Sequence, residues 1–189
     1  MRDLSLHILD LVENSVRAGA KVVEISVRID KKKLITLTIK DDGCGMDKAL
    51  LERVMSPFGT TRTTRKVGLG IPLMAQNARL TGGDIDIKSE VGVGTVFTAY
   101  LHGDSIDCLP LGDLAGTYVS LVTANPDGPD FVLSCASPNG EMQFDTREVR
   151  EALGSDVKLN EPEVAVWMLG AVREELEPIF GGGSYEIDG

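Results

Sequence analysis

Residues 22–40 read VVEISVRI, DKKK, LITLTIK, two β-branched alternating runs on either side of a charged turn. A period of two puts the apolar residues on one side of each strand, so the pair is a hairpin with a single face to bury. The pattern recurs at 84–101, where DIDIKSE and GTVFTAYL flank the VGVG turn. Helices can supply the missing cover. Leu4, Ile8, Leu11, Val12 and Ser15 fall on one side of a helical wheel, and Asp10, Glu13, Asn14 and Arg17 on the other, which predicts an amphipathic helix over 3–18 ended by AGA. GIPLMAQNARL predicts a second helix, with Pro72 in its first turn, where the missing N–H costs nothing, and Gly82 and Gly83 as its stop. The expected fold is α+β: a two-layer α/β sandwich with a mixed, mainly antiparallel sheet and helices on one face. Residues 47–67, ending PFGTTRTTRK, show no periodicity over that length and read as a mobile loop or lid.

Charge divides the chain. Residues 1–102 hold 15 Lys+Arg against 12 Asp+Glu, or +3, whereas residues 103–189 hold 4 against 17, or −13. HGDS follows the last strand-like run, so we expect a boundary there, with one domain over 1–102 and a small acidic α+β module over 103–189. Within the module, TYVSLVT and DFVLSCA read as strands joined by the NPDGPD turn, and EMQF as a third. Asp145 caps TREVREAL, and Asn160 and Pro162 open a final helix whose Val164, Trp167, Met168, Ala171 and Leu176 form one stripe, read as core. GGGSYEIDG reads as a flexible tail.

Several classes are disfavoured. No apolar run approaches eighteen residues, so no membrane span is expected, and MRDLSLHILD is not a signal peptide; a cytoplasmic location follows. Three cysteines, Cys44, Cys108 and Cys135, without a close pair argue against a disulfide framework or a structural zinc. Nucleic acid is a poor partner for the acidic half.

Three stretches carry chemistry. Asp10, Asn14 and Arg17, spaced four and three apart, project from one helix face as an acid, an amide and a cation, a set suited to anions and metals. KDDGCGM at 40–46 closes a strand with two carboxylates and two glycines, so the backbone can approach a flat ligand while a carboxylate accepts from an amine. KVGLGIP at 66–72 sets glycines before a helix start, where free N–H groups favour a phosphate. It is neither GxGxxG after a strand nor GxxxxGK[ST], so both common nucleotide folds are disfavoured.

Taken in order, LDLVENSVRAGA, DDGCGM, KVGLGIPLMAQ and GVGTVFTAYL resemble the N box and the three glycine boxes of the gyrase, heat-shock chaperone, histidine kinase and MutL superfamily of ATP-binding domains, over about residues 3–102. The resemblance implies a Bergerat-type fold that binds ATP and Mg2+. It implies that Asp41 reads adenine, with Gly43, Gly45 and Met46 beside the ring, and that Asn14 ligates magnesium. Arg17, Thr60, Thr61, Lys66, Gly68, Leu69 and Gly70 would lie along the nucleotide, and Thr95 near the adenine aspartate.

Departures from the pattern bear on the branch. ATPases of the superfamily place a glutamate four residues before the asparagine and an aspartate three after it; here Asp10 and Arg17 hold those positions. A base three after the asparagine, together with SPFGTTR, resembles histidine kinases, whereas AGA resembles MutL. Asp10 is a candidate base, one methylene shorter than glutamate, so hydrolysis is expected to be slow. The N box begins near residue 3, and His7 and His102 are the only histidines, neither of them in a helical hairpin. The expected activity is a kinase-like catalytic domain whose phospho-acceptor is a separate protein. A slow ATPase or ATP-gated homodimer switch, and a non-hydrolysing adenine-nucleotide sensor, are the alternatives.

Overall fold

A computed structural model describes residues 2–55, 70–154 and 157–181. The two hairpins form as expected: β1 (Val22–Ile29) with β2 (Leu34–Asp41), and β3 (Asp84–Glu90) with β4 (Gly94–His102). They join through an antiparallel β2–β4 pair in which Ile39 faces Phe97 and Asp41 faces Thr95. Val23, Ile25 and Val27 on β1, and Ile35, Leu37 and Ile39 on β2, are buried on one face, while Glu24, Arg28 and Lys40 look outward.

The segment after residue 103 continues the same sheet. β5 (Asp130–Ser137) pairs parallel with β1, and β6 (Gly140–Asp145) pairs antiparallel with β5, giving the order β3-β4-β2-β1-β5-β6. Phe131, Leu133 and Cys135 stand opposite Val23, Ile25 and Val27, so one apolar face runs unbroken across the charge boundary. Composition reported surface charge and not the limit of the core. The α+β two-layer arrangement expected from the sequence holds, as one mixed six-stranded sheet.

α1 (Leu4–Arg17) lies over this face, capped by Asp3, whose carboxylate accepts from Leu6 N. Its first turn is tied to the second half, since Leu4 N donates to Pro110 O and Ser5 N to Leu111 O, both at 2.9 Å. α3 (Gly70–Leu80) flanks α1 on one side and α4 (Leu114–Ala124) on the other; α6 (Pro162–Phe180) packs beyond α4 on β5 and β6. α5 (Thr146–Leu153) is capped by Asp145, as expected.

Three expectations are corrected. Residues 117–123 (TYVSLVT) are not a strand but belong to α4: Leu114, Ala115, Tyr118, Val119, Leu121 and Val122 are buried at helical spacing, which outweighs β-branching, and Asp113 caps the helix. The Thr123 hydroxyl donates to Val119 O one turn back, which satisfies a β-branched polar residue inside a helix. Residues 48–55 are not loop but α2 (Lys48–Met55), started by Asp47, whose carboxylate accepts from Leu50 N at 2.7 Å. The buried stripe of α6 is Val164, Met168, Val172, Leu176 and Ile179, while Trp167 is 54% exposed. The remainder of the expected loop, 56–67, and the tail from 182 lie outside the described residues. No helix among the described residues is long and apolar enough to cross a membrane.

Candidate nucleotide-binding cleft

A cleft of about 240 Å³ opens between α1, the ends of β2 and β4, and α2. Ile39 and Phe97 make its floor, Leu11 one wall, and Leu50, Val54 and Ile71 the far side. Such a slot suits a flat apolar ring. The polar groups on it are few: Asn14, Ser15 and Arg17 from α1, Asp41 at the end of β2, and Thr95 on β4.

The two adjacent carboxylates have separate tasks. Asp42 turns away and accepts from Lys21 N at 2.7 Å and Val22 N at 2.9 Å, fixing the start of β1; the Val22 N–H first, and Lys21's with it, hold its carboxyl below the usual range. Asp41 faces the cleft. Its carboxylate accepts from the Ser15 hydroxyl at 2.6 Å and from Gly43 N at 2.9 Å, so both oxygens are oriented and each retains a free lone pair.

The glycine box is threaded tightly. Cys44 N donates to Ala18 O and Gly92 N to Cys44 O, both at 2.9 Å, pinning the box between the end of α1 and the β3–β4 turn. Gly45 has φ +65°, and a Cβ there would lie 1.9 Å from Glu90 O. A Cβ on Gly43 would lie 2.9 Å from Ala18 Cβ. The Ser89 hydroxyl donates to Gly94 O at 3.1 Å, accepts from Met46 N at 2.8 Å and lies 2.8 Å from Thr95 Oγ1, so Thr95 is the donor in that last pair.

Of the residues singled out in the sequence, Asn14, Arg17, Asp41, Gly45, Met46 and Thr95 line this one cleft. Gly43 backs Asp41. Gly70 and Asp10 meet away from the cleft wall, a Cβ on Gly70 falling 3.1 Å from Asp10 Cβ. Thr60, Thr61, Lys66, Gly68 and Leu69 lie outside the described residues. Arg17 sits at the rim, bound to Glu13 at 2.6 Å, so Glu13 holds that cation in place. Asn14 Nδ2 is buried with no partner among the described residues. Among them, too, no three His, Cys, Asp or Glu side chains gather to hold a metal.

Sequence reasoning missed Ser15, Ser89, Leu50 and Val54. A serine on the apolar stripe of α1 was the available signal for the first, since a buried hydroxyl needs a partner. Ser89 faces Thr95 across the β3–β4 hairpin, and the register of that hairpin was the signal for it. His7 is core, its Nε2 2.7 Å from Asn77 Nδ2 across the α1–α3 contact.

Residues 2–105 match the family described as histidine kinase-, DNA gyrase B-, and HSP90-like ATPase. The chain is similar to the sensor histidine kinase CitA of Klebsiella pneumoniae, 30% identical over 98 residues, which cover 49% of this chain and 18% of that protein. It is also similar to the signal transduction histidine-protein kinase AtoS of Escherichia coli (strain K12), 32% identical over 98 residues, or 50% of this chain and 16% of that one. The chain thus spans less than a fifth of the length of these relatives. A crystal structure described as the N-terminal domain of a DNA repair protein is similar in fold across 97% of this chain and 58% of that one, with a TM-score of 0.52 at 15% identity.

Proposed function

Because this chain belongs to the family of histidine kinase-, DNA gyrase B- and HSP90-like ATPases, we propose that its cleft binds ATP with magnesium and that the γ-phosphoryl group passes to a separate protein. The observation that carries the reading is one cleft lined by both an oriented carboxylate, Asp41, and a buried amide, Asn14, whose nitrogen has no partner among the described residues. A carboxylate accepts from the exocyclic amine of adenine and repels the carbonyl of guanine, so Asp41 selects adenine. Ile39, Phe97 and Leu11 would flank the ring, and Thr95 stands beside Asp41 through its strand pairing.

The residues present fit a magnesium ion. Asn14 offers a hard amide oxygen, its nitrogen lacks a partner among the described residues, and the remaining ligands would be phosphate oxygens and water, which suits a cation that keeps few protein ligands. Bound there, magnesium would offset charge on the phosphates. Arg17, released from Glu13, would neutralise phosphate at the rim. Gly70 begins α3, and it and Gly68 would offer N–H groups, with Thr60, Thr61, Lys66 and Leu69 on the same segment of chain. Transfer of this kind rests on positioning and electrostatics: the acceptor nucleophile bonds to the γ-phosphorus as the β–γ bridging P–O bond breaks and ADP departs.

Calorimetry with Mg-ATP tests the binding. Asp41→Asn and Asn14→Ala should each weaken it by about a hundredfold, the equivalent of about 2.7 kcal/mol; undiminished affinity in either overturns that residue's role. Incubation with γ-labelled ATP and the proteins encoded beside this one should yield an acid-labile phosphoprotein. A second reading, a slow ATPase or ATP-gated dimer, is favoured by Asp10, which lies one turn before Asn14 on α1 and against Gly70. Loss of phosphate release in Asp10→Asn, with binding intact, would support it.

A further inference from the structure

The outer side of α6 is unlike a solvated helix face. Its inner stripe is sealed, with Met168, Val172 and Leu176 fully buried. On the opposite side Val166 is 72% exposed and Trp167 54% exposed. Gly170 lies one turn beyond Val166 on that side, and a Cβ there would meet nothing within 4 Å, so a shallow open hollow adjoins the indole. Glu163, Glu174 and Glu177 fall on the same side by helical spacing and make no ion pair among the described residues. Arg173, the one cation on this helix, is bound to Asp113 at 3.1 Å.

We propose that this stripe of α6, Val166, Trp167 and the Gly170 hollow within a rim of Glu163, Glu174 and Glu177, docks a basic amphipathic segment of a partner protein. The indole is anchored from behind, its ring centroid 6.2 Å from that of Phe144 on β6, so little side-chain freedom remains to be lost on binding. An anchored, half-exposed tryptophan with Glu163 one turn before it and Glu174 two turns beyond it on the same helix face offers an apolar face to an aliphatic side chain and a π face to a lysine or arginine. Charge decides among occupants. A second copy docked here about a two-fold axis would set the same glutamates against each other, in chains that each carry −10. Nucleic acid and anionic membranes are repelled by the same rim, and residues 103–189 carry a net −13. A cationic helix or strand with aliphatic residues on one side meets both demands.

Trp167 is the only tryptophan in the chain, so binding at this stripe reports itself in emission. The probe is a synthetic amphipathic peptide with leucine on one face and lysine and arginine on the other, labelled for anisotropy and titrated into the full chain at about 0.15 M salt. Binding should be saturable and should shift Trp167 emission. Glu163→Gln/Glu174→Gln/Glu177→Gln should weaken it by about tenfold, as should Val166→Ser, whereas the equally neutralised control Asp104→Asn/Asp107→Asn/Glu52→Gln should change it by less than about twofold. The proposal is overturned if the peptide does not bind or if emission stays unchanged on binding. It is equally overturned if the control weakens binding as much as the α6 variant, or if a peptide with glutamates in place of the cations binds as well. Sedimentation showing a dimer that Val166→Ser dissociates would overturn it in favour of a second copy.

Discussion

A single hydroxyl fixes the direction in which the Asp41 carboxylate points. Ser15 is buried and donates to Asp41 at 2.6 Å, so Ser15→Ala leaves the carboxylate held by Gly43 N alone. A hydrogen bond to a charged group is worth about 1.5–3 kcal/mol, so ATP affinity should fall by about tenfold or more while the fold is kept, as calorimetry beside a urea melt would show. His7 acts on stability. Burial, and then the charged amino terminus, hold its pKa below 6.5 against the opposing pull of Asp10 and Asp3, and its Nδ1 is buried without a partner among the described residues. The folded state therefore binds fewer protons than the unfolded chain just below pH 6.5, and the stability contributed by neutral His7 is lost as pH falls through that window. Urea midpoints should drop on acidification from about pH 7 to 5, and a His7→Gln variant should flatten that part of the slope.

Elements succeed or fail as units, and the glycine box shows why. Gly45 combines a left-handed φ of +65° with a backbone oxygen, Glu90 O, where its side chain would begin. Gly45→Ala must move the β3–β4 turn as well as strain its own backbone, so we expect a loss of about 3 kcal/mol in stability together with the loss of nucleotide binding. Much of this was legible in the sequence. Alternation announced β1 to β4 and the amphipathic wheel announced α1; the DDGCGM glycines announced a close approach of backbone to a ligand, whereas what crowds them is the chain itself, Ala18 and Glu90 O. α4 was not legible, because TYVSLVT has the composition of a strand and only its burial against α1 and α6 makes it helical. α2 opens a stretch whose later residues are hydroxyls and bases, and reading 47–67 whole as loop hid its local signals, Asp47 as cap and Leu50 and Val54 one turn apart. The Asp42 cap on β1 has no local signature, since it joins segments twenty residues apart, whereas the Ser89 link to Thr95 follows from the register of the β3–β4 hairpin.

At the scale of the whole molecule, the charge boundary at 103 and the structural unit do not coincide. β5 completes the sheet beside β1, and the first turn of α1 hangs on Pro110 and Leu111. A fragment of residues 2–105 would expose one edge of β1 and the part of α1 that α4 covers, so it should fold poorly although it holds every cleft residue described here. Its amide NMR spectrum should be poorly dispersed, and adding residues 106–189 as a separate peptide should restore dispersion. A well-dispersed fragment binding ATP as the full chain does would show that the second half only decorates the first.

The parallel pairing of Val22 with Asp130 also orders events in time. A ribosome releases β1 and β2 long before β5 exists, so the nascent chain carries an open β1 edge until residues 130–137 have emerged. Such distant pairing closes slowly. Closure of the sheet is therefore expected to wait on the emergence of residues 130–137, and a chaperone that shields strand edges should raise the yield more than one that acts on helices.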